Sequence, residues 1–388
     1  MKATLLNKTV PLMDIDMDEQ TSYVKEILHI YNPEYMPVGM YSENGNELRR
    51  NFTSWWKDRA IPATRKLIKE KLRELRLLDM SELVNHSFGL SLSDQYWIKP
   101  IGAEIRWEDI NYFQNPFSMD MGQYLLGEKD FDDISIMKAH SPDITTDGDV
   151  QKRWIIEDSK RYLIKNSATT FGQEPFNEVI ATMALEHFHV PYVPYSLMRQ
   201  VDEVYSKCPC FIDVDHEYVT AFDLCKNFAG NGIKVEDALK AATDHYEVPN
   251  VPPFIDQLIC LDYLMMNEDR HWSNFGFVRN INTLKFEGPA PVFDNGNSLW
   301  YKIADYIPEH YDHALMFRKK HEKEIKLVKA SPPIDFDGIA KLPATAEELL
   351  RTAPHISKQR AHMIASNIEK RIMMLKQSLG IVPKLHTK

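Results

Sequence analysis

The sequence predicts an α+β fold in two lobes, a mainly β lobe followed by a mainly helical one, with an additional domain ahead of both. Three observations predict it. The chain has 388 residues, more than twice a typical single-domain length. Two short β-type runs, residues 153–156 (RWII) and 161–165 (RYLIK), are separated only by EDSK and read as a hairpin. Beyond them apolar residues recur at helical spacing, in residues 254–266 and again in 345–379. The expected division is 1–137 for an accessory domain, 138–222 for the β lobe and 223–388 for the helical lobe.

Apolar residues make up 44% and charged residues 26%, which fits a globular chain and excludes a collagen-like, coiled-coil or disordered one. With 46 basic and 56 acidic residues the net charge is −10. Sequence-independent nucleic-acid binding runs on basic residues against phosphates, so direct nucleic-acid binding is not expected. Four cysteines, Cys208, Cys210, Cys225 and Cys260, are too few for a disulfide scaffold of this size and fit a reducing cytoplasm. The N-terminal apolar stretch is too short for a secretory signal, and no run approaches the roughly 20 apolar residues of a membrane span.

Along the chain, residues 63–86 read as an amphipathic helix with Ile68, Leu72, Leu75 and Leu78 on one face. Trp55, Trp56, Tyr96, Trp97, Trp107, Tyr112, Phe113 and Phe117 make this portion aromatic-rich and are read as packing. Residues 141–149 are polar and turn-rich, and lead into the hairpin. Pro175 suits a first helical position, so a helix is expected over 176–188. Residues 217–222 (EYVTAF) read as a strand, and 254–266 as a buried helix whose apolar run is interrupted at Asp262. Cys208-Pro-Cys210 lacks a second pair at zinc spacing and reads as loop cysteines.

That buried helix ends just before the most informative segment, NEDRHWSNFG over 267–276, which is followed by PVFDNGNS over 291–298. Asp269 and Asn274 stand five apart, as in the catalytic loop of protein kinases, where the Asp takes the proton of the acceptor hydroxyl and the Asn holds magnesium. Asp294, two before Gly296, has the layout of the second metal ligand. Phosphoryl transfer is mostly positioning and charge stabilisation, and an Asp, an amide oxygen and a second Asp supply what it needs. An Asp-Arg-His run taken alone would also fit a surface ion pair. His271 is read as supporting the base or the metal, because magnesium prefers oxygen ligands.

A kinase also needs a strand lysine on the nucleotide phosphates and a helix glutamate paired with it. Lys165 closes the second β run and Glu178 lies early in the next helix, both upstream of the catalytic loop in the order two lobes require. A lysine ending a strand also reads as a solvated edge. Gly148 and Lys152 occupy the place of a phosphate-covering loop before the first β run.

These residues resemble the C-terminal region of HipA-like serine/threonine kinases, through the run 267–276, Phe293-Asp-Asn-Gly296 and Thr145-Thr-Asp-Gly-Asp-Val-Gln-Lys152, which is similar to that family's Ser/Thr-x-x-Gly-x-x-x-Lys loop. The resemblance covers roughly residues 138–375. It implies a bilobal protein-kinase-like fold, ATP and Mg²⁺, and γ-phosphate transfer to a Ser or Thr of a protein substrate. It makes Asp269 the base, Asn274 and Asp294 the metal ligands, and Lys165 the nucleotide lysine. By the same resemblance Thr220 and Phe222 would lie at the hinge beside adenine, and Thr145 or Thr146 would be the autophosphorylated residue. An antitoxin-like regulatory partner belongs to the toxin members of that family, whose compact N-terminal subdomain residues 1–135 do not match. Two alternatives share the same residues: a lipid or small-molecule kinase of this fold, and a catalytically silent binding module. An acidic chain without a basic amphipathic helix weighs against lipid, and the full set of chemical groups weighs against silence.

Overall fold

In a computed structural model the chain is described over residues 1–383, except 63, 64, 66, 67, 76–79, 130–139, 149, 170, 201, 202, 304, 305 and 309. The expected domain boundary at 137/138 therefore lies outside the described residues, as do Asp149 and Leu78. The chain forms two compact units. The first comprises Met1–Lys165, Cys210–Tyr218 and Arg279–Leu284, and the second Asn166–Pro209, Val219–Val278 and Lys285–Lys388.

The first unit is built on a four-stranded sheet, in the order β3-β2-β1-β4, of β1 (Lys2–Asn7), β2 (Val10–Met17), β3 (Val24–Ile30) and β4 (Tyr96–Pro100). Adjacent strands are antiparallel, and β1 turns into β2 through Lys8-Thr9 with Lys8 at φ 48°. Five helices accompany the sheet: α1 (Gly45–Asp58), α2 (Ile68–Leu75), α3 (Met80–His86), α4 (Trp107–Ile110) and α5 (Asp120–Leu126). The helical run expected over 63–86 thus appears, where described, as α2 and α3. The Asn44 side chain caps α1 by accepting from the amides of Asn46 and Glu47, and Leu48, Phe52 and Trp56, four apart, form its buried stripe. Trp56 and Tyr96 join one core with Leu5, Ile15 and Tyr124, while Trp97, Trp107, Tyr112 and Phe117 form a second.

Gly89 follows α3 at φ +71°, and a Cβ there would stand 2.1 Å from the Trp56 ring. Gly89→Ala combines a left-handed backbone with a clash against a fully buried indole, so a loss of about 2–4 kcal/mol is expected from the urea midpoint.

The expected hairpin is present as β5 (Lys152–Glu157) and β6 (Lys160–Lys165), paired antiparallel from Lys152↔Lys165 to Glu157↔Lys160. Asp158 and Ser159 both take positive φ, the twist a two-residue turn needs. A buried ion pair between Arg279 and Glu217, with Arg279 also donating to the Tyr96 hydroxyl at 3.0 Å, fixes the two returning strand ends within this unit.

The second unit is mainly helical. It holds the hairpin β7 (Ser196–Gln200) and β8 (Glu203–Pro209), and the chain passes between the units within β9 (His216–Thr220) and β10 (Gly276–Asn280). With β11 (Phe286–Pro289) these last two form a sheet in the order β11-β10-β9. The helices are α6 (Glu174–Leu185), α7 (Ala221–Cys225), α8 (Val235–His245), α9 (Val251–Met265), α10 (His321–Glu324), α11 (Phe336–Ile339), α12 (Leu342–Leu350) and α13 (Lys358–Ser378). α6 starts two residues earlier than expected because Pro175 occupies its first turn. The strand expected over 217–222 stops at Thr220, whose hydroxyl caps α7 by accepting from the Asp223 amide at 2.9 Å, so Ala221 and Phe222 are helical. α9 is buried almost all round, and α13 packs on both α9 and α12. Among the described residues no helix is long and apolar enough to cross a membrane.

Candidate active site

α9 ends in Met266 at φ 51°, and the chain turns into the DRHWSN loop. The loop is held by its own polar groups. Asn267 Oδ1 accepts from the Asp269 amide at 2.9 Å, and the Asp269 carbonyl accepts from the His271 amide and from Asn274 Nδ2, both at 2.8 Å. Asn274 is thus oriented by its nitrogen, which leaves its amide oxygen as the acceptor for a hard cation. His271 Nδ1 accepts from the Ser273 amide at 3.3 Å, so this ring supports the loop.

Arg270, 1% exposed, joins this loop to the next one. Its guanidinium forks onto Asp262, with Nε to Oδ2 and Nη2 to Oδ1 both at 3.1 Å. Nη1 donates to the carbonyls of Asn274 (2.9 Å) and Phe293 (2.7 Å), and Nη2 to Asn295 Oδ1. Burial opposes its charge, but the Asp262 carboxylate outweighs that, with Asp294 and Glu178 adding, so its pKa lies above the ordinary value. For Asp262 burial is the larger effect and holds its pKa above the usual carboxylate range, Arg270 pulling the other way. The charged residue that interrupts the apolar run of α9 is therefore the counter-ion of Arg270. The break in the apolar run is the only sign of Asp262 along the chain, and spacing assigns neither it nor Arg270 a role.

The D-N-G loop is set against α6. Asp294 takes φ 59°, and its amide donates to the Tyr195 hydroxyl at 3.3 Å. Glu178 Oε2 accepts from the Asn295 amide at 2.8 Å. Asn177 Nδ2 donates to the carbonyls of Gly296 (2.8 Å) and Ser298 (2.7 Å). Gly296 packs so closely that a Cβ would stand 3.4 Å from that of Glu174. One more residue, without a role in the sequence reading, reaches across: Asn297 Nδ2 donates to Asp269 Oδ2 at 2.7 Å. The second unit therefore brings Asp269, Asn274, Asp294 and Glu178 into one hydrogen-bonded assembly around Arg270. Among the described residues no three His, Cys, Asp or Glu side chains gather as a metal cage. The Asn274 amide oxygen and the Asp294 carboxylate are hard oxygen donors of the type Mg²⁺ takes, since that ion is usually held by one or two protein oxygens together with water and phosphates.

The expected hinge residues lie in the same unit. Ala221 and Phe222 donate their amides to the Phe275 and Trp272 carbonyls, both at 3.0 Å, and the Phe222 side chain is 58% exposed.

In the first unit Lys152 and Lys165 face each other across the β5-β6 pair, each 7% exposed, so Lys165 is no solvated edge residue. Gly148, at φ +91°, leaves room for a neighbouring lysine: a Cβ there would stand 2.6 Å from Lys152 Nζ. Arg65 donates to the Gly148 carbonyl at 2.9 Å and to that of Thr146. Thr145, buried, donates its hydroxyl to the Leu90 carbonyl at 2.8 Å. Thr146 donates to Pro142 O at 2.7 Å and accepts from the Trp154 indole at 3.0 Å. Beside them burial lifts the Asp143 carboxyl to about 7, offset by bonds from Ser141 and the Trp154 amide and by Arg153 and Arg65.

No family model and no curated protein matches the sequence. Among solved structures, HipA of Shewanella oneidensis MR-1, from a toxin antitoxin complex with HipB and operator DNA, aligns over 97% of both chains with a TM-score of 0.54 at 11% identity. The proinflammatory kinase CtkA of Helicobacter pylori aligns over 61% of this chain and 93% of its own, at 17% identity and a TM-score of 0.46. Over nearly its whole length the chain has the α+β, kinase-like fold of HipA.

Proposed function

We propose that the protein is a HipA-like kinase that transfers the γ-phosphate of ATP to a Ser or Thr hydroxyl of a protein. The observation that best supports this reading is the guanidinium of Arg270, whose bonds to the Asn274 and Phe293 carbonyls tie the Asp269–Asn274 loop to the Asp294 loop while Asp262 balances its charge. Asp269 takes the proton of the attacking hydroxyl as its oxygen bonds to the γ-phosphorus and the bond to the ADP oxygen breaks. Asn274 and Asp294 would hold Mg²⁺, which would neutralise phosphate charge there. Lys165 and Lys152 stabilise phosphate oxygens, Gly148 lets the preceding loop approach them, and Glu178 holds the Asn295 amide so that Asp294 keeps its place. Thr220 and Phe222 flank the adenine.

Autophosphorylation belongs to the same reading, at Thr145 or Thr146. Both hydroxyls are engaged inside the first unit, so the loop has to turn out before either reaches a phosphate. HipA of Shewanella oneidensis was solved with HipB and operator DNA, and an antitoxin-like partner acting in the cytoplasm is the corresponding proposal for this chain.

Nucleotide binding is the first test. Saturating ATP with Mg²⁺ is expected to raise the melting temperature by about 2–6 °C, since a ligand that binds only the folded state stabilises it by mass action. The same ATP with EDTA should give a smaller rise. Equal shifts with and without the metal would remove Asn274 and Asp294 as its ligands.

A further inference from the structure

We infer that Asn297 is a positioning residue for phosphoryl transfer, holding one carboxylate oxygen of Asp269 so that the other receives the acceptor's proton. This rests on the reading of Asp269 as the base. Asn297 touches the catalytic loop twice: its side-chain nitrogen donates to Asp269 Oδ2 at 2.7 Å, and its carbonyl accepts from the Glu268 amide at 3.0 Å. The backbone of Asp269 is already fixed, its amide on Asn267 Oδ1 and its carbonyl under Asn274 Nδ2 and the His271 amide. What remains free is the side chain of Asp269, and the Asn297 bond restrains its rotation. Among the described residues Oδ1 of Asp269 takes no hydrogen bond, which marks it as the oxygen left for the proton.

Position adds a second consequence. Asn297 stands three residues after Asp294 in a loop pinned by Asn177 through the carbonyls of Gly296 and Ser298 on either side. The metal loop and the base are thus one mechanical piece, and a displaced Asp294 carries the base out of line as well. An amide suits this place better than an acid, because it donates to the carboxylate at every pH and adds no charge beside it.

The test uses the full chain, labelled ATP with Mg²⁺, and phosphate transfer measured from pH 5.5 to 8.5. Asn297→Ala should lower kcat by about 10- to 100-fold, the usual cost of losing a group that orients a reactive one, with KM for ATP nearly unchanged. Asn297→Asp gives the sharper readout. Two carboxyl groups at that separation share one proton, and the protonated partner still donates to Oδ2. As pH rises the shared proton leaves, the donor is lost and the two charges repel. Asn297→Asp should therefore be more active near pH 6 than near pH 8, a falling alkaline limb absent from the wild type. A merely structural asparagine would produce no such limb. Wild-type transfer together with an Asn297→Ala variant at wild-type kcat, or an Asn297→Asp variant with the wild-type pH profile, overturns this inference alone. A wild type that transfers no phosphate overturns the proposed function and takes this inference with it.

Discussion

Asp269→Asn is expected to abolish most phosphate transfer while leaving the fold and nucleotide binding in place. The substitution keeps the volume of the side chain, and an amide oxygen can still accept from Asn297 Nδ2 where the carboxylate Oδ2 did. The loop does not depend on the carboxylate for its shape, because the backbone of Asp269 carries the bonds to Asn267, His271 and Asn274. What is lost is proton acceptance, and the removal of a general base typically costs about 10²- to 10⁴-fold in rate. The measurement is transfer of labelled phosphate to the chain itself and to a generic Ser/Thr acceptor, alongside the melting-temperature rise with ATP and Mg²⁺. A variant that keeps both the nucleotide-dependent rise and wild-type transfer would exclude Asp269 as the base. One that loses both would place its role in folding.

The parts of this site that were legible in the sequence are those whose contacts are short along the chain. Asn274 reaches the Asp269 carbonyl across five residues and Asn267 the Asp269 amide across two, so spacing alone carried the loop. The parts that were not legible are stitched over distance: Arg270 to Phe293 spans 23 residues, Asn297 to Asp269 28, and Asn177 to Gly296 119. No periodicity reports such a bond. Thr145 is a similar case, since the carbonyl that takes its hydroxyl belongs to Leu90, 55 residues away. The hairpin β5-β6 was readable because its two runs and turn are contiguous, whereas the N-terminal sheet was not. Its first strand breaks the two-residue alternation where the register shifts between Leu5 and Leu6, which buries successive side chains, and its partner β4 comes nearly ninety residues later.

The pair Arg270–Asp262 separates stability from chemistry. Arg270→Met alone leaves the Asp262 carboxylate buried without its cation, and removing one partner of a buried ion pair typically costs about 3–5 kcal/mol. Replacing both, with Arg270→Met and Asp262→Leu, leaves no buried charge to compensate, and apolar side chains of similar volume in such a place are often neutral or better. The double variant should therefore recover most of the stability that the single variant loses, read as the urea midpoint. Its activity should not recover. Asp262 is only one of the four groups that Arg270 holds; the carbonyls of Asn274 and Phe293 and the Asn295 amide oxygen are the others, and methionine can donate to none of them. Without that bridge the loops carrying Asp269 and Asp294 keep their own turns but lose their common register, and a displacement of about 1 Å between reacting groups is enough to cost about 10²-fold in rate. A double variant that regains both stability and transfer would mean that the guanidinium serves only to neutralise Asp262, and the site would then owe its alignment to the contacts from α6 and Asn297 alone.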